Sequence, residues 1–263
     1  MKYAPIGAVA AIIALAAMLL GYQSGSGSRT TAEAAAGASV DRAQVENIVH
    51  DYLIKNPEVL LEAQTALETR QAEAQKTATT KTIAANSTEI FHSPHDAVLG
   101  NPKGDVTIVE FYDYNCPYCK HALPDMNALI SADPNLRFVL KEFPILGEDS
   151  LKAHVVAEAF HELMPEKYAE FHQQLLGQKS RADEASAIAV AVSLGADEAA
   201  LREKMKSPAI GEIFKANYRL AGDLNITGTP SYVVGDEVVP GAIGLDSLAQ
   251  KVANMRNCRH ATC

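Results

Sequence analysis

The chain has 263 residues, 48% hydrophobic and 21% charged, which is ordinary globular material with length for one sizeable core and an appendage. A net charge of -9 argues against nucleic acid as a partner. With 6% aromatic residues and no tryptophan, no large aromatic binding platform is expected, and there is no phosphate-cradling glycine loop and no repeat.

The N-terminus has the outline of an export signal: Lys2, an uncharged run from Ile6 to Leu20, then a Gly/Ser-rich stretch from Gly21 to Ser28. The run is short for a span of about 20 residues. The Ala-Glu-Ala at Ala32 to Ala34 lies far downstream for signal peptidase. Residues 1–22 therefore read either as a cleaved signal peptide or as a membrane anchor using residues 4–22, with residues 23–39 as linker. Without a lipid-attachment cysteine nearby or a second apolar span, everything after Ala36 is expected to be soluble, in a compartment where disulfides persist.

A helical preface follows, expected over residues 40–90. Val45, Ile48, Val49, Tyr52 and Leu53 recur at helical spacing, and Asn56-Pro57-Glu58 ends that helix and starts another. The second is expected from Pro57 to about Ala84, with Leu60, Leu61, Ala63, Leu67 and Ala74 as a narrow apolar stripe. A hairpin of this size cannot bury both stripes on itself. It packs on the main domain or on another subunit, or else it is a solvated spacer.

A βαβ unit comes next: a strand from Val106 to Tyr112, a helix through Lys120 to Ile130, and a strand from Arg137 to Phe143. Between the first strand and the helix lies Cys116-Pro117-Tyr118-Cys119. This context places Cys116 at the N-cap and Pro117 at the first helical position, where its missing N–H costs nothing. Unpaired first-turn amides and the helix dipole then favour a thiolate at Cys116. Cys116 is read as the exposed nucleophile. Cys119, three residues on, is read as the buried sulfur that closes a Cys116–Cys119 disulfide and resolves mixed disulfides. Helices are expected at Ser150 to Met164, Pro165 to Leu176, Ser180 to Leu194, Asp197 to Met205 and Pro208 to Ala221. Two short strands, Ser231 to Val234 and Val238-Val239, precede a last helix from Leu245 to Met255.

The other cysteines, Cys258 and Cys263, flank His260, so a zinc site is the competing reading. A zinc knuckle places its CxxC on a turn between small elements, whereas here the pair opens a helix and Pro117 stiffens the loop. Cys258 and Cys263 are better read as a disulfide that pins the C-terminal end. No metal and no cofactor are expected.

Val98-Leu99-Gly100-Asn101-Pro102, the run Glu110 to Lys120 around the CxxC, and Gly228 to Gly235 with its Thr229-Pro230 together resemble the DsbA-type thioredoxin-fold proteins of the bacterial envelope, most nearly the ScsC-like group. The resemblance covers about Val45 to Met255. It implies an α/β thioredoxin fold over residues 91–257, a helical insertion at about 145–224, a tail at 258–263 and an N-terminal oligomerisation segment. It implies that Pro230 is the cis-proline facing the CxxC, with Thr229 offering its backbone to a client chain. It also implies that Glu110 is a buried acid exchanging protons with Cys119; the alternative is a rim carboxylate bound to a lysine. Pro117 and Tyr118 are supporting residues.

The expected activity is thiol-disulfide exchange on exported, cysteine-containing proteins, as a disulfide isomerase or reductase, with a membrane partner resetting the CPYC pair. Thr229 before Pro230 resembles the envelope isomerases more than the strong oxidases. Two alternatives are a disulfide-donating oxidase and, in another class, a copper-binding or chaperone protein.

Overall fold

The computed structural model describes residues 41–263; the export segment and linker expected at residues 1–39 lie outside the described residues. Helix α1 is Arg42–Lys55, capped by the Asp41 carboxylate on the Ala43 amide, and α2 is Glu58–Ala85. The described residues divide into two compact units, 41–62 and 63–263. In the first, Ile48 is 65% exposed and Leu61 67% exposed, so the apolar spacing is real but buries nothing among the described residues of that unit.

The second unit starts with the remainder of α2. Helix α3, Ser87–His92, leads to β1 (Ala97–Gly100) and β2 (Val106–Tyr112). After α4 (Pro117–Ala132) and β3 (Leu136–Glu142) come α5 (Glu148–Leu163), a 3-10 turn at Pro165–Lys167, α6 (Tyr168–Gly177), α7 (Glu184–Ser193), α8 (Glu198–Lys204) and α9 (Pro208–Asp223). Strands β4 (Ser231–Val234) and β5 (Glu237–Pro240) and helix α10 (Leu245–Cys258) complete the chain. The strand order is β1-β3-β2-β4-β5. Only the β2–β3 pair is parallel, as the α4 crossover demands; the other neighbours are antiparallel.

The helical stretches of the insertion fall where the sequence places them, with ends moved by local capping. The helix expected from Ser180 starts at Glu184, because Asp183 and Ser186 form a capping box: the Asp183 carboxylate accepts the Ser186 amide at 2.8 Å and the Ser186 hydroxyl accepts the Asp183 amide at 2.9 Å. Two elements were not expected, β1 and α3. Strand β1 is four residues long and gets its register from β3, with Leu99 opposite Phe138, so no periodicity announces it. The core also begins earlier than Phe91. Ile83 near the end of α2 and Ile90 of α3 pack with Val109, Phe111, Val139, Leu220 and Val233 on one face of the sheet. The other face is covered by α4, α10 and the insertion helices, through Ile108, Met126, Phe138, Phe160, Phe171 and Leu248 among others.

Candidate active site

Strand β2 delivers the chain to a short turn, Asp113 to Asn115, and then to Cys116 as N-cap of α4, with φ -74° and ψ 118°. Pro117 takes the first helical position, as its fixed φ favours. Both sulfurs are free thiols, whereas Cys258 and Cys263 are joined in a disulfide, which removes them as zinc ligands. Among the described residues no cluster of metal-ligating side chains is found.

Cys119 is fully buried, as expected, but Cys116 is itself only 4% exposed rather than open. The reason is the loop ahead of β4: the Cys116 thiol donates to the Thr229 carbonyl at 3.0 Å, and the Thr229–Pro230 peptide is cis. Tyr118, by contrast, is 68% exposed.

The two sulfurs are electrostatically unequal. Hydrogen bonding from Cys119, with the amides of Cys119 and Tyr118, pulls the Cys116 thiol down to about 6 against the opposing effect of burial. Burial pushes the Cys119 thiol far up, with Cys116 and the Glu110 carboxylate adding to the effect. Glu110 lies on β2, 4% exposed, opposite Tyr232 of β4, and burial together with the Cys116 charge pushes its carboxyl up to about 8. Among the described residues no lysine pairs with it. A buried acid that does pair with a lysine is Asp96, whose Oδ2 lies 2.5 Å from Lys141 Nζ in the interior.

Next to Thr229 and Pro230 opens a mostly apolar groove of about 630 Å³, walled by Leu224, Ile226, Val238 and Pro240, with Lys76 and Thr79 of α2 along one side. Behind the site lies a buried polar network that the sequence did not announce. Tyr112 and Tyr168 both donate to Glu142 Oε1 at 2.5 Å, and His154 pairs with the other carboxylate oxygen. The Tyr114 amide donates to His154 Nε2 at 3.3 Å, so the imidazole proton sits on Nδ1, and burial keeps the ring neutral. Tyr112 and Tyr168 are 56 positions apart and only the fold gathers them.

A sheet whose strand-to-helix junction carries this polarised cysteine pair, faced by a cis-proline loop, defines a thioredoxin-fold redox site. Residues 107–253 match the DSBA-like thioredoxin domain, and the chain belongs to that family. Residues 41–74 match the N-terminal domain of the copper resistance protein ScsC. A thioredoxin-like oxidoreductase from Silicibacter pomeroyi superposes with a TM-score of 0.62 at 40% identity, over 65% of this chain and 98% of that one. The thiol-disulfide exchange protein alpha-DsbA2 from Wolbachia pipientis gives 0.65 at 31% identity, over 69% and 98%. Among curated proteins, the Na(+)/H(+) antiporter NhaA 1 of Salinispora arenicola is 28% identical over 166 residues. The match takes in 60% of this chain and 24% of that protein, so the chain spans about a quarter of that relative's length.

Proposed function

We propose that this protein carries out thiol-disulfide exchange on exported, cysteine-containing proteins through Cys116 and Cys119, as an isomerase or reductase. The observation that carries the reading is the inequality of the pair: Cys116 pulled down to about 6 at the head of α4, and Cys119 held as a thiol in the interior. The Cys116 thiolate attacks one sulfur of a client disulfide, a Cys116–client bond forms, and the other client sulfur leaves as thiolate. Two exits follow. The freed client thiolate attacks a different disulfide bond of the client, and the thiolate released there attacks the client sulfur bonded to Cys116, so Cys116 leaves as thiolate, an isomerisation without net electron transfer. Alternatively Cys119, giving its proton to the Glu110 carboxylate, attacks the Cys116 sulfur, so the client leaves reduced and the CPYC pair oxidised. A membrane redox partner then resets the pair.

The exposed apolar residues of α1 and α2 and the ScsC-type match at residues 41–74 support a homo-oligomer built through the preface, in the periplasm after export. Oxidation of clients, the reverse of the second exit, uses the same residues. The copper-resistance description of that N-terminal match favours one further reading, copper held by the two thiolates. The test is a Cys119→Ser variant, which accumulates mixed disulfides with scrambled clients, beside Cys116→Ser, which forms none and does not turn over. A protein that binds copper and leaves scrambled clients unchanged overturns the enzymatic reading.

A further inference from the structure

The turn between β2 and α4 is held by side-chain hydrogen bonds that sulfur chemistry does not by itself require. Asp113, fully buried, accepts at Oδ1 from the Asn115 amide at 2.7 Å and from the Ser150 hydroxyl at 2.9 Å. Its Oδ2 accepts the Leu146 amide at 3.0 Å, and its own carbonyl accepts the Cys116 N–H at 3.0 Å.

Asn115 reaches further. Its Oδ1 accepts the Ala182 amide at 2.7 Å, while its Nδ2 donates to the Ala182 carbonyl at 2.8 Å and to Ser150 Oγ at 2.9 Å. One side-chain amide that exchanges both hydrogen bonds with one backbone residue copies a strand pair, and with the bond to Ser150 it uses both N–H donors of Asn115. Beyond the second cysteine, Lys120 Nζ donates to the carbonyls of Gln178 at 2.7 Å and Ser180 at 3.0 Å. The residue before Cys116 and the residue after Cys119 are therefore both fastened to the loop of residues 178–182, between α6 and α7.

We infer that Asn115 is a positioning residue for the exchange reaction, fixing the turn that carries Cys116 against Ser150 and residues 178–182. The inference rests on Cys116 being the attacking sulfur. Stabilisation of a thiolate by first-turn amides falls off steeply when the sulfur and the N–H groups lose their alignment. The backbone bond from Cys116 to Asp113 alone leaves the turn free to pivot; the three Asn115 side-chain bonds and the Asp113 carboxylate bonds remove that freedom. Asn115 touches no client atom in this account, and it acts through the placement of Cys116.

The test is Asn115→Ala in the full-length reduced protein, beside Asn217→Ala. Asn217 is also buried, and its Nδ2 donates to the Glu142 carbonyl at 3.0 Å, away from the cysteine turn. The readouts are the pH profile of Cys116 alkylation and the thermal midpoint. Asn115→Ala moves the alkylation midpoint upward by up to one unit and slows labelling at pH 6 about fivefold. Asn217→Ala lowers the thermal midpoint and leaves the profile where it is. An unchanged profile in Asn115→Ala, or an equal shift in Asn217→Ala, overturns the positioning role. A wild-type midpoint as high as that of a free cysteine overturns instead the reading of Cys116 as nucleophile, so the two failures are distinct. If Asn115→Ala does not fold, Asn115→Asp keeps the acceptor to the Ala182 amide and loses both Nδ2 donors; an upward shift supports the inference and an unchanged profile sinks it.

Discussion

The Cys116 sulfur and the Thr229 carbonyl oxygen lie 3.0 Å apart although 113 residues separate them in the chain. The S–H donates across this contact, while Cys119 and the amides of the first turn lower the Cys116 thiol. In the proposed exchange, a client disulfide meets a sulfur already placed beside the backbone of Thr229.

Alkylation separates the two cysteines. With Cys116 pulled down to about 6 and Cys119 pushed far up, iodoacetamide at pH 6 to 7 labels Cys116 alone in the reduced protein, with the rate rising through a midpoint near 6. Peptide mapping by mass spectrometry reads the result. Comparable labelling of Cys119 contradicts the assignment.

Glu110→Gln divides the reaction in two. The first attack needs only the Cys116 thiolate, and because burial holds the Glu110 carboxyl up to about 8, largely protonated at neutral pH, the neutral amide leaves that step intact. Resolution by Cys119 loses its proton acceptor and slows about a hundredfold. Stopped-flow measurement of mixed-disulfide formation and decay separates the phases. Equal slowing of both phases would assign Glu110 to packing alone.

Glu158 gives a pH-dependent stability with a definite sign. Its carboxyl is buried, Oε2 has no hydrogen-bond partner, and burial pushes it up to about 8. The folded state holds a proton that the unfolded state loses above the ordinary glutamate range. Stability is thus fully present at low pH and is lost progressively as pH rises from about 4.5 to 8. Glu158→Gln removes this loss, and its stability relative to wild type improves by about 1–3 kcal/mol between pH 5 and pH 8. Urea titrations at the two pH values measure the difference.

How much of this could be read in the residues alone depends on how local each cause is. The junction at Cys116 and Pro117 was legible because N-cap and first-turn preferences act within four residues. Strands β2 and β4 were legible from apolar runs. Strand β1 was not, because its four residues owe their conformation to pairing with β3. The Asn115 to Ala182 bonds and the Glu142 network were hidden for the same reason: each joins segments tens of residues apart. Alternation in β2 shows that one of Glu110 and Phe111 faces each way, yet both are buried, since a central strand is covered on both faces.

The two halves of α2 differ in what they do, and substitution tells them apart. Ile83 is 3% exposed in the sheet's core, and the Thr80 hydroxyl donates to the Asp236 carbonyl at 3.3 Å, so this end belongs to the folded domain. Ile83→Ala therefore costs about 2–4 kcal/mol in stability. Leu60 and Leu61, 57% and 67% exposed, support no core in their own unit, and Leu60→Lys with Leu61→Lys leaves the redox domain's stability unchanged while dissociating the proposed oligomer. The informative truncation accordingly ends at residue 74, before the segment that packs on the domain, rather than at residue 85. That truncated protein sediments as a monomer, keeps exchange with small dithiols and loses isomerisation of scrambled clients. A full-length protein that already sediments as a monomer, or a truncated one that isomerises as well as the parent, removes the preface from the mechanism.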